Sequence, residues 1–168
     1  FLFFFFFGRV FWRKVYELPL ASRTARGKAI VNLLELGEDE KVAAILPVSD
    51  LANMDDSLTV LTVTKKGQIK KTTVAEYKRP LRKGKLGLTI REDDEILTAA
   101  ITSGSNDILL VTKKGLSIRF NETDVRTMGR LATGVKGINL KKEDEVVVAA
   151  VISSEDSVLT VTENGYGK

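Results

Sequence analysis

The phrase Thr64-Lys65-Lys66-Gly67 returns as Thr112-Lys113-Lys114-Gly115 and, altered, as Thr162-Glu163-Asn164-Gly165. Each copy follows an apolar, partly β-branched run: Val60-Leu61-Thr62-Val63, Ile108-Leu109-Leu110-Val111 and Val158-Leu159-Thr160-Val161. After the first two copies a second run carries basic side chains. A short turn ending in glycine between two such runs is a β-hairpin signal. Gly8 holds the same place after the run 1–7. A β unit recurring at about 50 residues is the signature of a repeat architecture.

Other columns keep the same period. Gly27-Lys28-Ala29-Ile30-Val31-Asn32-Leu33 matches Gly84-Lys85-Leu86-Gly87-Leu88-Thr89-Ile90 and Gly134-Val135-Lys136-Gly137-Ile138-Asn139-Leu140. The acidic pairs Asp39-Glu40, Asp94-Glu95 and Asp144-Glu145 each lead into an alanine-bearing run: Ala43-Ala44, Ala99-Ala100 and Ala149-Ala150. An acid follows the first three hairpin glycines in one phase: Glu17, Glu76, Asp124. Gly8, Gly27, Gly67, Gly84, Gly115, Gly134 and Gly165 thus mark structural turns.

These columns predict strands at 1–7, 9–16, 29–34 and 42–48 in the first unit. The second has them at 58–64, 68–74, 86–90 and 96–102. The third has them at 108–112, 116–120, 135–140 and 145–152, and a fourth unit begins at 158–162. Four strands in about 50 residues make a propeller-like blade. The expected fold is an all-β disc, with about three blades and part of a fourth spread over residues 1–168 as one partial domain. The opening Leu2-Phe3-Phe4-Phe5-Phe6-Phe7 is too short to span a bilayer and reads as a buried strand. Its turn, Phe6-Phe7, stands where the other units carry lysines, and nothing in the pattern accounts for that.

Composition removes several functions. The chain has no cysteine and no histidine, so thiolate metal sites and the commonest general base are absent. No metal site is expected, and the acidic pairs read as solvated turns before a strand. Ser22, Tyr77 and Tyr166 have no recognisable base or oxyanion partner, and no glycine set continues as a P-loop does. Net charge is only +4, so the placement of charge matters more than its sum.

That placement is periodic. Basic loops occupy 23–28, 78–85 and 126–136, and acidic turns occupy 38–40, 92–95 and 143–145. Equal spacing in sequence becomes equal angular spacing around a disc, so one rim should be basic. A curved row of cations suits duplex DNA, whose phosphates are continuous and whose many weak contacts add. The loop candidates are Arg23, Arg26 and Lys28; Arg79, Arg82, Lys83 and Lys85; and Arg126, Arg130 and Lys136. The hairpin tips add Lys65, Lys66, Lys113 and Lys114, and the strands behind them Lys70, Lys71 and Arg119. A propeller that binds protein through a face or edge remains open on these residues alone, whereas little supports an enzyme.

Longer motifs carry a resemblance. Gly8-Arg9-Val10-Phe11, Val15-Tyr16-Glu17-Leu18-Pro19, Ala21-Ser22-Arg23 and Arg26-Gly27-Lys28-Ala29-Ile30-Val31-Asn32 resemble the C-terminal domain of the DNA gyrase A subunit. So do Ile118-Arg119-Phe120-Asn121-Glu122, Val125-Arg126-Thr127-Met128-Gly129-Arg130 and the tail Thr160 to Lys168. The resemblance implies a β-pinwheel, six-bladed in that family, whose blades exchange a strand and whose rim binds and wraps duplex DNA. It implies no catalysis and no cofactor in this part. In the parent type IIA topoisomerase the catalytic tyrosine lies in the N-terminal part of that polypeptide, and ATP and Mg²⁺ are used elsewhere in the holoenzyme. Implied partners are duplex DNA, the N-terminal part of the same polypeptide, and the gyrase B subunit in an A2B2 assembly. The setting is the bacterial cytoplasm, without membrane, and the isolated domain is expected to be monomeric. By match to the family's arginine-rich loops, Arg23, Arg26, Arg126 and Arg130 lead the DNA-contact set. The glutamine-arginine-arginine-glycine-glycine box that separates gyrase from topoisomerase IV has no counterpart in these residues. The regular motifs favour gyrase, with the related domain of the topoisomerase IV A subunit as the alternative.

Overall fold

The Phe-rich start forms strand β1 (Leu2–Phe5), which reverses at Gly8 into β2 (Arg9–Trp12). In this computed structural model residues 1–34, 36–37, 40–48, 53–79, 81 and 83–168 are described. The expected contact Arg82, the first acid Asp39 and part of the 49–56 connection lie outside the described residues. The hairpin recurs as β4 (Thr59–Thr64) with β5 (Gln68–Thr73), and as β8 (Asp107–Thr112) with β9 (Ser117–Asn121). In each, the glycine N–H donates to the carbonyl three residues back: Gly8 to Phe5 at 2.9 Å, Gly67 to Thr64 and Gly115 to Thr112 at 3.0 Å. The seven marked glycines have φ between 73° and 89°, a region costly for residues with a Cβ. At Gly8 space also forbids a side chain, since a Cβ would lie 2.1 Å from Leu88 O.

Each hairpin gains a third strand from its own unit: β3 (Val42–Leu46) on β1, β7 (Ile96–Thr102) on β4, and β11 (Val146–Ile152) on β8. The fourth strand comes from the next unit. β6 (Lys85–Leu86) pairs with β2, and β10 (Val135–Lys136) pairs with β5. The sheets are therefore β3-β1-β2-β6, β7-β4-β5-β10 and β11-β8-β9. A blade does hold four strands, but only three are local to it. β3 packs against β7, and β7 against β11, so these alanine-bearing strands converge on the inside. β6 and β10 lie on the opposite, outer edges.

Two joints repeat the same hydrogen bonds. Gly87 N donates to Gly8 O at 2.7 Å and Ile96 N to Phe6 O at 2.9 Å; Gly137 N donates to Gly67 O and Val146 N to Lys65 O, both at 2.8 Å. The core follows the joints. Leu2, Phe4, Val10, Val60, Val74, Tyr77, Leu88 and Ile96 fill the first, and Leu61, Val63, Ile69, Ile108, Leu110, Val125 and Val146 fill the second. Burying one such side chain is worth about 1.5–3 kcal/mol.

Several expected strands are shorter or absent. The segments 86–90 and 135–140 pair only through Lys85–Leu86 and Val135–Lys136. The expected strand 29–34 is a 3-10 turn, Ile30–Asn32. Its apolar residues cover β1. Leu34, Ile30, Leu33 and Leu36 pack on Phe3, Phe5 and Phe11. This explains the phenylalanines of β1: the strand is buried on both faces, Leu2 and Phe4 toward the second blade, Phe3 and Phe5 toward the 3-10 segment. The strand expected to run to Tyr16 ends at Trp12, and the acid column falls in 3-10 turns at Val15–Glu17, Val74–Tyr77 and Glu122–Asp124. The expected strand 158–162 makes only one isolated bridge, Val161 to Gly167, and its residues are exposed.

Candidate nucleic-acid interface

The outer strands are where the basic loops end. Loop 78–85 runs into β6 on the outer edge of the first blade, and loop 126–136 runs into β10 on the outer edge of the second. The two loops meet. Arg130 donates through NH1 to Leu86 O, and the Thr89 hydroxyl donates to Leu131 O at 2.6 Å. Arg130 Nε also stands 3.9 Å from the Glu76 carboxylate. Lys85 lies in the same cluster: burial first, then the neighbouring Arg130 and Arg79, push its ammonium below its ordinary value.

Around this cluster the cations are outward. Arg79, Lys83, Arg126 and Lys136 are exposed. The side chains of Arg126 and Lys136 make no hydrogen bond or ion pair among the described residues, which leaves their charge for a ligand. Arg23, Arg26 and Lys28 are exposed in the same phase of the first unit, on a segment that joins no sheet. Backbone hydrogen bonding there is limited to an Ala25-to-Ser22 turn. Loops 78–85 and 126–136 thus enter equivalent outer edges of successive blades, and loop 23–28 shares their phase in the sequence.

The other candidates are occupied. The hairpin tips face the acidic turns across a depression of ≈580 Å³ lined by Phe7, Lys65, Lys66, Lys113 and the acids 93–95 and 143–145. Lys65 pairs with Glu95, and Lys113 stands 3.5 Å from Glu145. Lys66 Nζ donates to Glu92 O at 3.3 Å, and Lys114 Nζ to Lys142 O at 2.7 Å. The acidic turns are clasps rather than solvated turns. Asp94 is buried and accepts from Lys66 N and Glu95 N, both at 2.9 Å; Asp144 repeats this with Lys114 N and Glu145 N, both at 3.0 Å. Arg119 is exposed but donates twice to Asp107, at 2.8 and 2.6 Å.

Lys70 and Lys71 are not on the surface at all. Lys70 is fully buried, and its ammonium donates to Gly87 O at 2.5 Å and Arg130 O at 2.6 Å. Lys71 is 7% exposed and donates to Glu122 O at 2.8 Å. The next unit's loop covers both. The repeat carried a signal for Lys70, since its column holds apolar Phe11 and Ile118 in the other units. Glu76 and Thr89 help hold the two loops and are not among the residues the sequence points to; Glu76 is visible there only as one member of the acid column. Among the described residues no group of three or more His, Cys, Asp or Glu could hold a metal ion.

The family model described as DNA gyrase C-terminal domain, beta-propeller, matches residues 7–49, 59–103, 106–153 and 156–168. The chain belongs to this family. Its four matched segments begin close to the boundaries of the repeat. The DNA gyrase A subunit of Haemophilus influenzae is 49% identical over 129 residues, 77% of this chain and 14% of that protein. The DNA gyrase A subunit of Escherichia coli K12 is 42% identical over 161 residues, 96% of this chain and 18% of that protein. The chain therefore spans less than a fifth of these relatives' length. Among solved structures, the C-terminal domain of DNA topoisomerase IV superposes with TM-score 0.89 at 32% identity, covering 99% of this chain and 51% of that one. The DNA gyrase A C-terminal domain gives 0.79 at 26% identity, covering 99% and 52%. In this gyrase C-terminal family, the chain is a run of strand-exchanged blades with its free cations on the outer edge. No helix among the described residues is long and apolar enough to cross a membrane.

Proposed function

We propose that the chain is part of a β-pinwheel that binds and bends duplex DNA without reading its sequence. One observation carries this reading: successive outer strands are each entered by a basic loop, and the third unit's loop bonds to the second unit's outer segment at Arg130–Leu86 and Thr89–Leu131. Arg126, Lys136, Arg79 and Lys83 then offer phosphate contacts in an arc, which position a backbone rather than read bases. Bending costs about 1–6 kcal/mol for a 20–30 bp stretch, and the summed contacts of several loops offset it.

The likeness to the A subunits of DNA gyrase supports a role for this module within a type IIA topoisomerase. There it would pass a wrapped segment to a catalytic tyrosine outside these residues, supporting ATP-dependent negative supercoiling. ATP, Mg²⁺, the N-terminal part of the same polypeptide and the gyrase B subunit belong to that larger assembly in the bacterial cytoplasm. The close superposition on the topoisomerase IV domain favours a second reading, the related DNA-binding module of that enzyme. The test of DNA wrapping is charge reversal at Arg23, Arg26, Arg126 and Arg130 together, read by salt titration of duplex affinity. Weaker binding to every sequence and a shallower salt slope are expected; unchanged affinity overturns the reading.

A further inference from the structure

We infer that Lys70 is a positioning residue of the rim, its buried ammonium clamping the basic loop of the third unit to the segment that follows β6 in the second. The inference rests on the DNA-wrapping reading and names what holds its contact groups at the correct span. The ammonium donates to Gly87 O, just past β6, and to Arg130 O, inside the next basic loop. One side chain from β5 thus ties together segments that come from two different units and lie far apart in sequence. Arg130 and Thr89 add the bonds to Leu86 and Leu131 at the same seam. With the clamp closed, the Arg130 backbone is fixed, and exposed Arg126 is held close to it along the same loop.

A lysine is an unfavourable way to fill this place. The equivalent residues are Phe11, which is buried, and Ile118. Among the described residues Lys70 has no carboxylate partner; it is satisfied by carbonyl oxygens. An ammonium taken from water without a countercharge costs stability, and an apolar side chain of similar volume often restores it. What the lysine contributes instead is a fixed distance between loop 126–136 and the segment after β6.

Arg130 of the third unit's loop and Glu76 of the 3-10 turn after β5 act on it. The Tyr77 hydroxyl donates to the same Gly87 O at 3.4 Å, and Lys85 and Arg79 belong to the neighbouring cluster around Arg130. Burial, then Arg130, lowers Lys70 to about 8, while burial raises Tyr77 to about 12. Near neutral pH the clamp is charged. As pH rises past about 8 its charge-assisted hydrogen bonds become ordinary ones, which are weaker. The folded value lies below the unfolded 10.5, so the folded state sheds this proton first and stability from this group rises with pH between the two values. Stability and DNA binding should therefore respond to pH in opposite directions.

The test compares the full chain with its Lys70→Met variant. Affinity for a labelled duplex is measured at fixed salt near neutral pH and at pH ~9, alongside thermal unfolding. Near neutral pH the variant should unfold no lower than the parent yet bind about threefold to tenfold more weakly, a change of roughly one decade or less in Kd. Affinity should fall with pH in the parent and fall less in the variant. A variant with the parent's affinity and pH profile overturns the inference and leaves the wrapping reading standing, which the four-arginine variant tests by itself. A variant that unfolds also overturns it, because the ammonium would then serve stability. A parent chain that binds no duplex overturns both.

Discussion

Lys71 and Glu122 close the joint between the second and third blades from inside. The Lys71 ammonium donates to the Glu122 carbonyl at 2.8 Å and stands 3.6 Å from its carboxylate. The same carboxylate accepts from Gly104 N at 2.8 Å and Asn106 N at 2.9 Å. The second unit has buried Val74 in this column, so the third unit exchanges an apolar plug for an ion pair whose cation comes from its neighbour. Glu122→Ala would leave the buried Lys71 ammonium without its countercharge, held by the residue 122 carbonyl alone, and two N–H groups without partners. Its cost should be about 3–5 kcal/mol in denaturant unfolding. The double change Lys71→Met with Glu122→Val should recover most of that loss, since it removes both charges together.

Acid should loosen the same joint. Burial works to raise the Glu122 carboxyl. The Asn106 and Gly104 N–H groups, the Thr102 hydroxyl and Lys71 outweigh it and hold the carboxyl below its ordinary 4.5. For Asp144 burial is likewise outweighed, by the Thr112 hydroxyl and the N–H groups of Lys114 and Glu145, and its carboxyl falls below the ordinary 3.8. Depressed folded values mean that the stability each group contributes is complete above the ordinary value and lost as pH falls through the folded one. Melting temperature should therefore drop below pH ~4.5. Glu122→Gln should melt lower than the parent near neutral pH and show a flatter acid decline. Parallel acid curves for the two proteins would contradict the assignment.

Gly8 and Gly115 share a turn but not a neighbourhood. Gly8 has φ 86° and would set a Cβ 2.1 Å from Leu88 O; Gly115 has φ 81° with nothing within 4 Å. Gly115→Ala should cost about 1–2 kcal/mol of left-handed backbone strain alone. Gly8→Ala should cost clearly more, because it also wedges the strand donated by the second unit away from the first blade. Equal losses in urea unfolding would show that the joint yields at no cost.

The rim and the hairpin tips should separate in salt titrations. Arg126→Ala and Lys136→Ala each remove a free outer cation, and each should lower the salt slope of duplex binding by about one phosphate contact. Lys66→Ala and Lys114→Ala change cations that sit among acids, so affinity should move less than about twofold. A larger effect at the tips would relocate the DNA path to the acidic end.

The period, the hairpins and the inner strands could be read from the chain because they are local. A glycine with φ above zero, a β-branched run and an acidic turn each announce themselves within a few residues. The outer strands could not be read in the same way. Lys85–Leu86 and Val135–Lys136 are two-residue strands flanked by glycines, and their partners lie one unit earlier in the sequence. For the same reason Gln68-Ile69-Lys70-Lys71 looked like a hairpin arm with two solvated lysines. Burial arrives only when residues 127–131 of the next unit fold over it. The fate of Ile30 to Leu34 was also a tertiary matter: the motif matches that of an outer strand, but the segment turns as a 3-10 helix and packs on Phe3, Phe5 and Phe11. On the rim, the sequence located the free arginines by phase, whereas the glutamate, threonine and buried lysine that fix their spacing emerge only when two units are brought into contact.

The donated outer strand gives each basic loop two anchors on different blades. Loop 126–136 leaves the third blade after Asp124 and ends on β10 of the second. Its span is therefore a gauge of the angle between those blades. Opening that angle would stretch the loop and spread its arginines, and closing it would crowd them. Curvature of the protein and curvature of whatever lies along its edge are thereby made one mechanical variable, shared through a tether of roughly ten residues, comparable to an ordinary surface loop.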